Sequence, residues 1–180
     1  VYDPYETPDW FKNTIVYQIF PDRFRRPGEI LGIEEHTRLF GAPRLHGNWS
    51  DSPDYLPVNG QRYYVPEDFF GGNLYGVKEK LPYLKSLGVG CIYLNPIFLS
   101  STNHRYNTAD YMTVDPMLGG DRALAELAAA AKEYGIRLML DGVFSHTGSE
   151  SVYFKGAQSN PNSPCRDWYD FTEYPDKYRC

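Results

Sequence analysis

The sequence predicts an α/β protein built on a parallel sheet. Three short apolar runs, rich in Ile, Val, Leu and aromatic residues, occupy residues 14–20, 89–98 and 136–144. They do not alternate cleanly between apolar and polar residues, which is typical of strands buried on both faces of a parallel sheet. Helical segments precede the second and third runs, so strands and helices alternate along the chain. At 180 residues and 42% hydrophobic content, the chain can form one sizeable core.

Two helices are predicted between the runs. The first covers "NLYGVKEKLPYLKSLG", residues 73–88, where apolar residues recur on one stripe. Pro82 should kink or split it, because proline removes a backbone donor. The second covers "GGDRALAELAAAAKEYGI", residues 119–136, with Asp121 as the candidate N-cap and Gly135 as the residue that ends the helix.

The lengths of the connections predict where a site would lie. About fifty residues follow the first run, including a long loop at about 25–72, and about twenty follow the second. Barrels of eight βα units and doubly wound sheets both build their sites from such segments at the carboxyl ends of the strands. After Gly148 the chain is polar and aromatic with no helical period, which indicates a large loop or a small inserted domain.

Charge, hydropathy and cysteine spacing exclude several classes of protein. The net charge of −5 comes from 23 acids and 18 bases that are scattered along the chain, so we expect no nucleic-acid partner. The apolar runs are far shorter than the roughly 20 residues that span a membrane, so no membrane partner is expected. Residues 1–20 lack a signal pattern, which leaves cytoplasmic and secreted locations both open. Cys91, Cys165 and Cys180 have no metal-type spacing and are expected to be free thiols.

Polar side chains follow the first two runs. Asp22 and Arg23, in "FPDRF", are interpreted as a strand cap with a local ion pair. The segment "NPIFLSSTNHRYNTADYMTVDP", residues 95–116, mixes hydrogen-bonding groups with tyrosines. This mixture suits a sugar, whose hydroxyls need oriented partners and whose C–H faces pack on aromatic rings. A purely structural loop could use the same residues.

The third run ends in "DGVFSHTG", which contains an acid and an imidazole. Taken alone, Asp141 could cap the strand and His146 could be a loop histidine. Metal ligation by these two residues with His104 is a weaker alternative, since no short ligand pair lies on a helix. Residues an odd number apart face opposite sides of a strand, so both side chains can reach one site only if the strand ends near Val143 or Phe144.

Four segments occur in a fixed order: "NTIVYQIFPDRF", "FFGGNLYGVKEKLPYLKSLGVGCIYLNPIF", "STNHRYNTADYMTVDPMLGG" and "IRLMLDGVFSHTG". Together they resemble the alpha-amylase family of glycoside hydrolases, nearest to its neopullulanase and cyclomaltodextrinase branch. The resemblance implies a (β/α)8 TIM barrel with a domain inserted after strand three. Residues 1–147 would be its first three βα units, and residues 148–180 would begin the inserted domain.

The resemblance also implies roles for individual residues. Asp141 matches the family acid that orders polar groups at the barrel mouth, and His146 matches the histidine that hydrogen-bonds the sugar where cleavage occurs. Tyr106 matches the tyrosine that stacks on the same sugar. His104 and Asn103, in the same segment, are further substrate-binding candidates.

The residues that perform the chemistry in this family are not matched. Retaining glycosidases need two carboxyl groups about 5–5.5 Å apart. In the family these acids follow strands four and five, and nothing in this chain resembles those motifs. No catalytic or metal-ligating residue is therefore assigned. Ser145 replaces an Asn that supplies a calcium ligand in calcium-dependent relatives, which puts calcium at this position in doubt.

The expected function is the substrate-binding portion of a retaining glycoside hydrolase that acts on alpha-glucans such as starch, pullulan or cyclodextrin. The chain would be inactive alone and would need the remainder of the barrel, and the branch likeness points to a homodimer. The alternative is a non-catalytic sugar-binding fragment or inactive homologue. A nucleotide-binding doubly wound fold is not supported, because no glycine-rich turn follows the first or second run.

Overall fold

The computed structural model describes residues 6–57, 63–64 and 66–172. Short 3-10 turns at Pro21–Arg23, Pro116–Leu118 and Arg166–Trp168 accompany the helices and strands. The helices and strands, in chain order, are α1 (Asp9–Lys12), β1 (Ile15–Ile19), α2 (Ile33–Phe40), β2 (Arg44–Leu45), β3 (Asp68–Phe69), α3 (Leu74–Glu79), α4 (Leu81–Ser86), β4 (Val89–Leu94), β5 (Phe98–Ser100), β6 (Thr108–Val114), α5 (Gly120–Glu133), β7 (Arg137–Leu140) and α6 (Val152–Ser159).

The central sheet has three parallel strands in the order β1-β4-β7. Gln18 lies opposite Tyr93, which in turn lies opposite Met139. The three apolar runs therefore form the three strands, and the predicted α/β class with a parallel sheet is confirmed. Two smaller sheets flank it, one from β2 and β3 and the other an antiparallel hairpin of β5 and β6.

The third strand is shorter than predicted. The expected end near Val143 or Phe144 is wrong, since β7 ends at Leu140. One further ladder contact follows, from the Asp141 amide to the Leu94 carbonyl at 3.3 Å. The Phe144 amide then donates to the Gly142 carbonyl at 3.0 Å, and this three-residue turn ends the extended chain.

The helices follow the sequence pattern with one exception. Pro82 lies in the first turn of α4 and the predicted helix is split there into α3 and α4, as expected. Gly135 has φ +65 and follows α5, as predicted. Asp121 is not the N-cap: Gly119 precedes α5 with φ +98, and the Asp121 carboxylate instead accepts a hydrogen bond from the Val114 amide at 3.0 Å.

The core lies between the sheet and helices α3, α4 and α5. Complete removal from water of each large apolar side chain contributes about 1.5–3 kcal/mol. The side chains with no exposed surface here include Leu74, Val77, Leu81, Leu84, Ile92, Leu94, Leu118 and Leu127. None of the helices in the described residues is long and apolar enough to cross a lipid bilayer.

Helices also occur in the long connection at about 25–72 and in the segment after Gly148. The connection at about 25–72 includes α2, whose buried His36 packs edge-on against the rings of Phe40 and Phe69. The tail after Gly148 contains α6, which begins where the Ser151 hydroxyl accepts from the Tyr153 amide at 3.2 Å. The sequence does not indicate this helix, because an 8-residue helix with a central glycine shows little apolar periodicity.

Two glycines, which have no side chain, let α3 and the residue pair before it approach the backbone that follows β1. A Cβ atom on Gly72 would lie 2.2 Å from the Pro21 carbonyl oxygen, and one on Gly76 would lie 2.0 Å from the Arg25 carbonyl oxygen. The Asn73 side chain caps α3 by accepting from the Gly76 amide at 3.0 Å. The carboxyl end of β1 is thereby held close to the start of α3.

Two helical glycines should respond to alanine in opposite directions. Gly76→Ala should lower the free energy of unfolding by about 1–3 kcal/mol, because the Arg25 backbone must move. At Gly156 in α6, a Cβ atom would meet nothing closer than the Ser163 Oγ at 3.8 Å. Gly156→Ala should raise stability by about 0.5–1 kcal/mol through helix propensity. Urea unfolding followed by circular dichroism measures both, and effects of the same sign would contradict this packing.

Candidate functional site

The candidate substrate site lies at the carboxyl ends of β4 and β7, around Asp141. Its Oδ2 accepts hydrogen bonds from the Tyr93 hydroxyl at 2.5 Å and the Tyr106 hydroxyl at 2.9 Å. Strand geometry explains the first contact: Tyr93 lies opposite Met139, and Asp141, two residues further on, faces the same side. Tyr106 comes from the segment between β5 and β6.

The surroundings of both phenols raise their pKa values above the ordinary value of 10.0. The hydrogen bond to Asp141, aided by partial burial, raises the pKa of Tyr93 to about 12. Burial raises the pKa of Tyr106, and the hydrogen bond to Asp141 adds to this. Both hydroxyls are therefore donors at neutral pH. Among the described residues none donates to Oδ1 of Asp141, so this oxygen is open to a ligand hydroxyl.

His146 approaches Tyr106 from the exposed loop after β7. Its Nε2 lies 2.9 Å from the Tyr106 carbonyl oxygen, and its Nδ1 lies 3.1 Å from the Ser145 Oγ. Because a carbonyl oxygen can only accept, Nε2 carries the proton, and in the neutral ring Nδ1 accepts from the Ser145 hydroxyl. Tyr106 is thus held at both ends, its hydroxyl by Asp141 and its carbonyl by His146.

His104 contacts the same tyrosine. The two rings lie 5.8 Å apart between centroids with an interplanar angle of 34°, and the His104 Nδ1 accepts from the Tyr106 amide at 3.0 Å. Burial, followed by the charge of Arg105, lowers the pKa of His104. The structure therefore brings four of the five predicted substrate-binding residues together, with Tyr106 as their common contact.

Asn103, the fifth predicted residue, belongs to a second polar cluster. It is 4% exposed, and its amide donates to the carbonyl oxygen and Oδ1 of Asp68 at 2.9 and 3.0 Å. Burial tends to raise the pKa of Asp68, but hydrogen bonds from Tyr64 and His46 and the charge of Arg23 outweigh it, and the pKa is lowered. These contacts make Asn103 part of a buried structural network.

The backbone of Arg105 explains why Asn103 and Tyr106, three residues apart, reach different polar clusters. This backbone is left-handed, with φ +61, and the Arg105 guanidinium is buried. Nε donates to Asp115 at 2.6 Å, and Nη1 donates to the Asn103 carbonyl at 2.7 Å. This turn directs Asn103 towards Asp68 while Tyr106 reaches Asp141.

The Asp22 and Arg23 pair predicted at the end of β1 is present. Arg23 Nε donates to Asp22 at 2.8 Å, which confirms the expected ion pair. Asp22 is also buried and accepts from the amides of Phe70 and Gly71 at 3.1 and 3.0 Å. It therefore ties the end of β1 to the segment after β3.

One group in the described residues has the spacing of a metal site, namely His46, Asp54 and Asp68. It includes none of the residues that converge on Tyr106, so the geometry does not favour the metal site considered for Asp141. Arg23 lies 3.1 Å from Asp68, and Arg44 pairs with Asp54. Two guanidinium groups already supply the positive charge and would repel a cation. These residues fit an ion-pair network better than a metal centre.

Comparison with known proteins identifies the family. The model of the alpha-amylase catalytic domain matches residues 18–178. The chain belongs to the alpha-amylase family. The resemblance carried by the four sequence segments is confirmed, including its likeness to pullulan- and cyclodextrin-acting relatives.

This member of the alpha-amylase family spans less than a third of the length of the relatives described here. An amylopullulanase from Thermoanaerobacter thermohydrosulfuricus is 40% identical, with 94% of this chain and 13% of the relative covered. A cyclomaltodextrinase from Geobacillus thermopakistaniensis is 38% identical, with 96% and 26% covered. The solved type III pullulan hydrolase from Thermococcus kodakarensis is 37% identical with a TM-score of 0.73, covering 92% of this chain and 29% of that one.

Two further tyrosines contact the candidate site. Tyr93 lies in the second apolar run, and its position opposite Met139 gives it access to Asp141. Tyr111 donates through its hydroxyl to the carbonyl oxygens of Val143 and, at 2.9 Å, His146. Only the strand register could have indicated Tyr93, whereas Tyr111 lies in the segment 95–116, whose mixture of tyrosines and hydrogen-bonding groups suits a sugar.

The carboxylate of Asp141 should control the ionisation of Tyr93. In Asp141→Asn the pKa of Tyr93 should fall from about 12 towards its ordinary value of 10.0, because an amide carries no charge to oppose phenolate formation. NMR titration of chains labelled at the tyrosine Cζ measures this. Asp110→Asn removes a carboxylate that accepts hydrogen bonds from the Met112 amide and the Thr113 hydroxyl, and it should leave the pKa of Tyr93 unchanged. An unshifted Tyr93 in Asp141→Asn would contradict the assignment.

Proposed function

We propose that this chain forms the alpha-glucan-binding portion of a retaining glycoside hydrolase. The observation that carries the proposal is Tyr106, a half-buried ring held by Asp141 at its hydroxyl and by His146 at its carbonyl. A fixed aromatic face suits the C–H face of a sugar, and the open Oδ1 of Asp141 suits a sugar hydroxyl. The names of the relatives favour starch, pullulan or cyclodextrin as the substrate class.

The fold proposed for the longer protein is the eightfold barrel of the family. Residues 1–147 would supply its first three βα units, the N-terminal part of the catalytic domain, and residues 148–180 would begin the inserted domain. In support, apolar side chains are exposed on both outer strands, including Ile15 and Val16 on β1 and Leu140 on β7. Closure of a barrel pairs open strand edges and covers such residues.

The chain is proposed to bind without hydrolysing. Retention requires two carboxyl groups about 5–5.5 Å apart. Among the described residues, Asp141 is the one acid that accepts hydrogen bonds from the hydroxyls of Tyr93 and Tyr106. Asp141 would then orient polar groups in the subsite, and the nucleophile and acid/base would come from later strands.

Hydrolysis by the isolated chain should be absent. Reducing-sugar release from pullulan and a cyclodextrin is measured after dialysis, with a cyclomaltodextrinase as the positive control. No turnover above buffer is expected, since the reaction needs a second carboxyl group. Turnover that survives dialysis and disappears in Asp141→Asn would overturn the proposed division of roles.

Binding should depend on Tyr106. Isothermal titration calorimetry with maltose or a cyclodextrin should give measurable binding to the unchanged chain, and Tyr106→Ala should weaken it about tenfold through loss of stacking, about 1.4 kcal/mol. Tyr83→Ala, at a 53% exposed position on α4, is the matched control and should bind normally.

Absence of binding to the unchanged chain would contradict the proposed subsite. Binding combined with a longer gene that lacks the catalytic acids would identify an inactive homologue instead.

A further inference from the structure

Tyr111, on β6, connects the antiparallel hairpin to the loop that carries His146. We propose that Tyr111 is a positioning residue, which holds the backbone of His146 so that the imidazole reaches Tyr106. The consequence for sugar binding rests on the proposed function. The Tyr111 hydroxyl lies 2.9 Å from the His146 carbonyl oxygen and also donates to the Val143 carbonyl oxygen. One hydroxyl proton is therefore shared between two acceptors three residues apart in sequence and on the same loop.

The loop gains a fixed point between its two backbone anchors. On one side the Phe144 amide donates to the Gly142 carbonyl at 3.0 Å, and on the other the Gly148 amide donates to the Thr108 carbonyl at 2.9 Å. His146 lies between these anchors on an exposed stretch without regular secondary structure. The hydroxyl of Tyr111 holds the loop at the Val143 carbonyl, beside the first of these hydrogen bonds, and at the His146 carbonyl, between the two.

The hydroxyl is itself held in place by ring packing. The Tyr111 ring lies 6.5 Å from Phe98, 6.0 Å from Phe144 and 6.0 Å from Tyr153, measured between centroids. These rings come from β5, the loop and α6, so three parts of the chain surround Tyr111. The Tyr111 hydroxyl is a hydrogen-bond donor at neutral pH, and burial raises its pKa above the ordinary value of 10.0.

The imidazole depends on the position of its backbone. Only two side-chain torsions separate the His146 Cα atom from the ring, and Nε2 must stay within hydrogen-bond reach of the Tyr106 carbonyl, now at 2.9 Å. A shift of about 1 Å in the backbone would lengthen this contact beyond the usual range. The hydroxyl of Tyr111 therefore acts on Tyr106 through His146.

The experiment compares Tyr111→Phe with Tyr153→Phe. Both changes remove one hydroxyl from the same ring cluster. The Tyr153 hydroxyl, however, donates to Asp110 at 3.4 Å and not to the loop that carries His146. Long-range 1H–15N NMR, without sugar, reports which imidazole nitrogen carries the proton. In Tyr111→Phe, the two His146 nitrogen signals should move towards the averaged values of a free imidazole, and the Val143 and His146 carbonyl 13C signals should shift. Tyr153→Phe should leave all of these signals unchanged.

Each outcome decides the proposal. Unaltered His146 ring signals in folded Tyr111→Phe would overturn it, and so would equal changes in Tyr153→Phe. Unfolding of Tyr111→Phe would also overturn it, because an action limited to the loop requires a folded chain. The signals are read without sugar, whereas the proposed function is tested by maltose binding to the unchanged chain, so failure of one is distinguishable from failure of the other.

Discussion

The register between β4 and β7 determines where the candidate site lies. Because Tyr93 lies opposite Met139, the acid two residues beyond Met139 reaches the Tyr93 hydroxyl. A slip of one residue would turn Asp141 to the opposite face of the sheet. Tyr106 could then no longer bridge Asp141 and His146, since each holds a different end of it. The parallel ladder is thus the condition for the contacts that Asp141 makes in the site.

Asp68, which begins β3, and Asp141, which follows β7, differ in how fully their carboxylate oxygens are hydrogen-bonded. Asp68 is 1% exposed, and donors from Arg23, His46, Tyr64 and Asn103 engage both of its oxygens. Such an acid is satisfied and structural. Asp141 is half-buried and receives both of its hydrogen bonds on one oxygen, so it retains capacity for a ligand. The number of hydrogen bonds that each carboxylate already accepts therefore distinguishes Asp68 from Asp141.

The apolar runs and the helix-breaking proline could be interpreted from sequence because each acts through local chemistry. The end of β7 could not, since it depends on the turn at Gly142 and Phe144. Nor could the placement of Asn103, because the left-handed backbone of Arg105 separates it from Tyr106. The family resemblance supplied the candidates Asp141, His146 and Tyr106, and the structure places them in contact. Their roles towards a sugar stay predictions.

The proton on His146 Nε2 is already engaged with the Tyr106 carbonyl. A ligand hydroxyl that accepted this proton would exchange one neutral hydrogen bond for another, and such exchanges change the free energy little. His146 would then add little to overall affinity. It would instead discriminate between ligands, because only a hydroxyl with the correct position and orientation replaces the carbonyl without leaving a polar group unsatisfied.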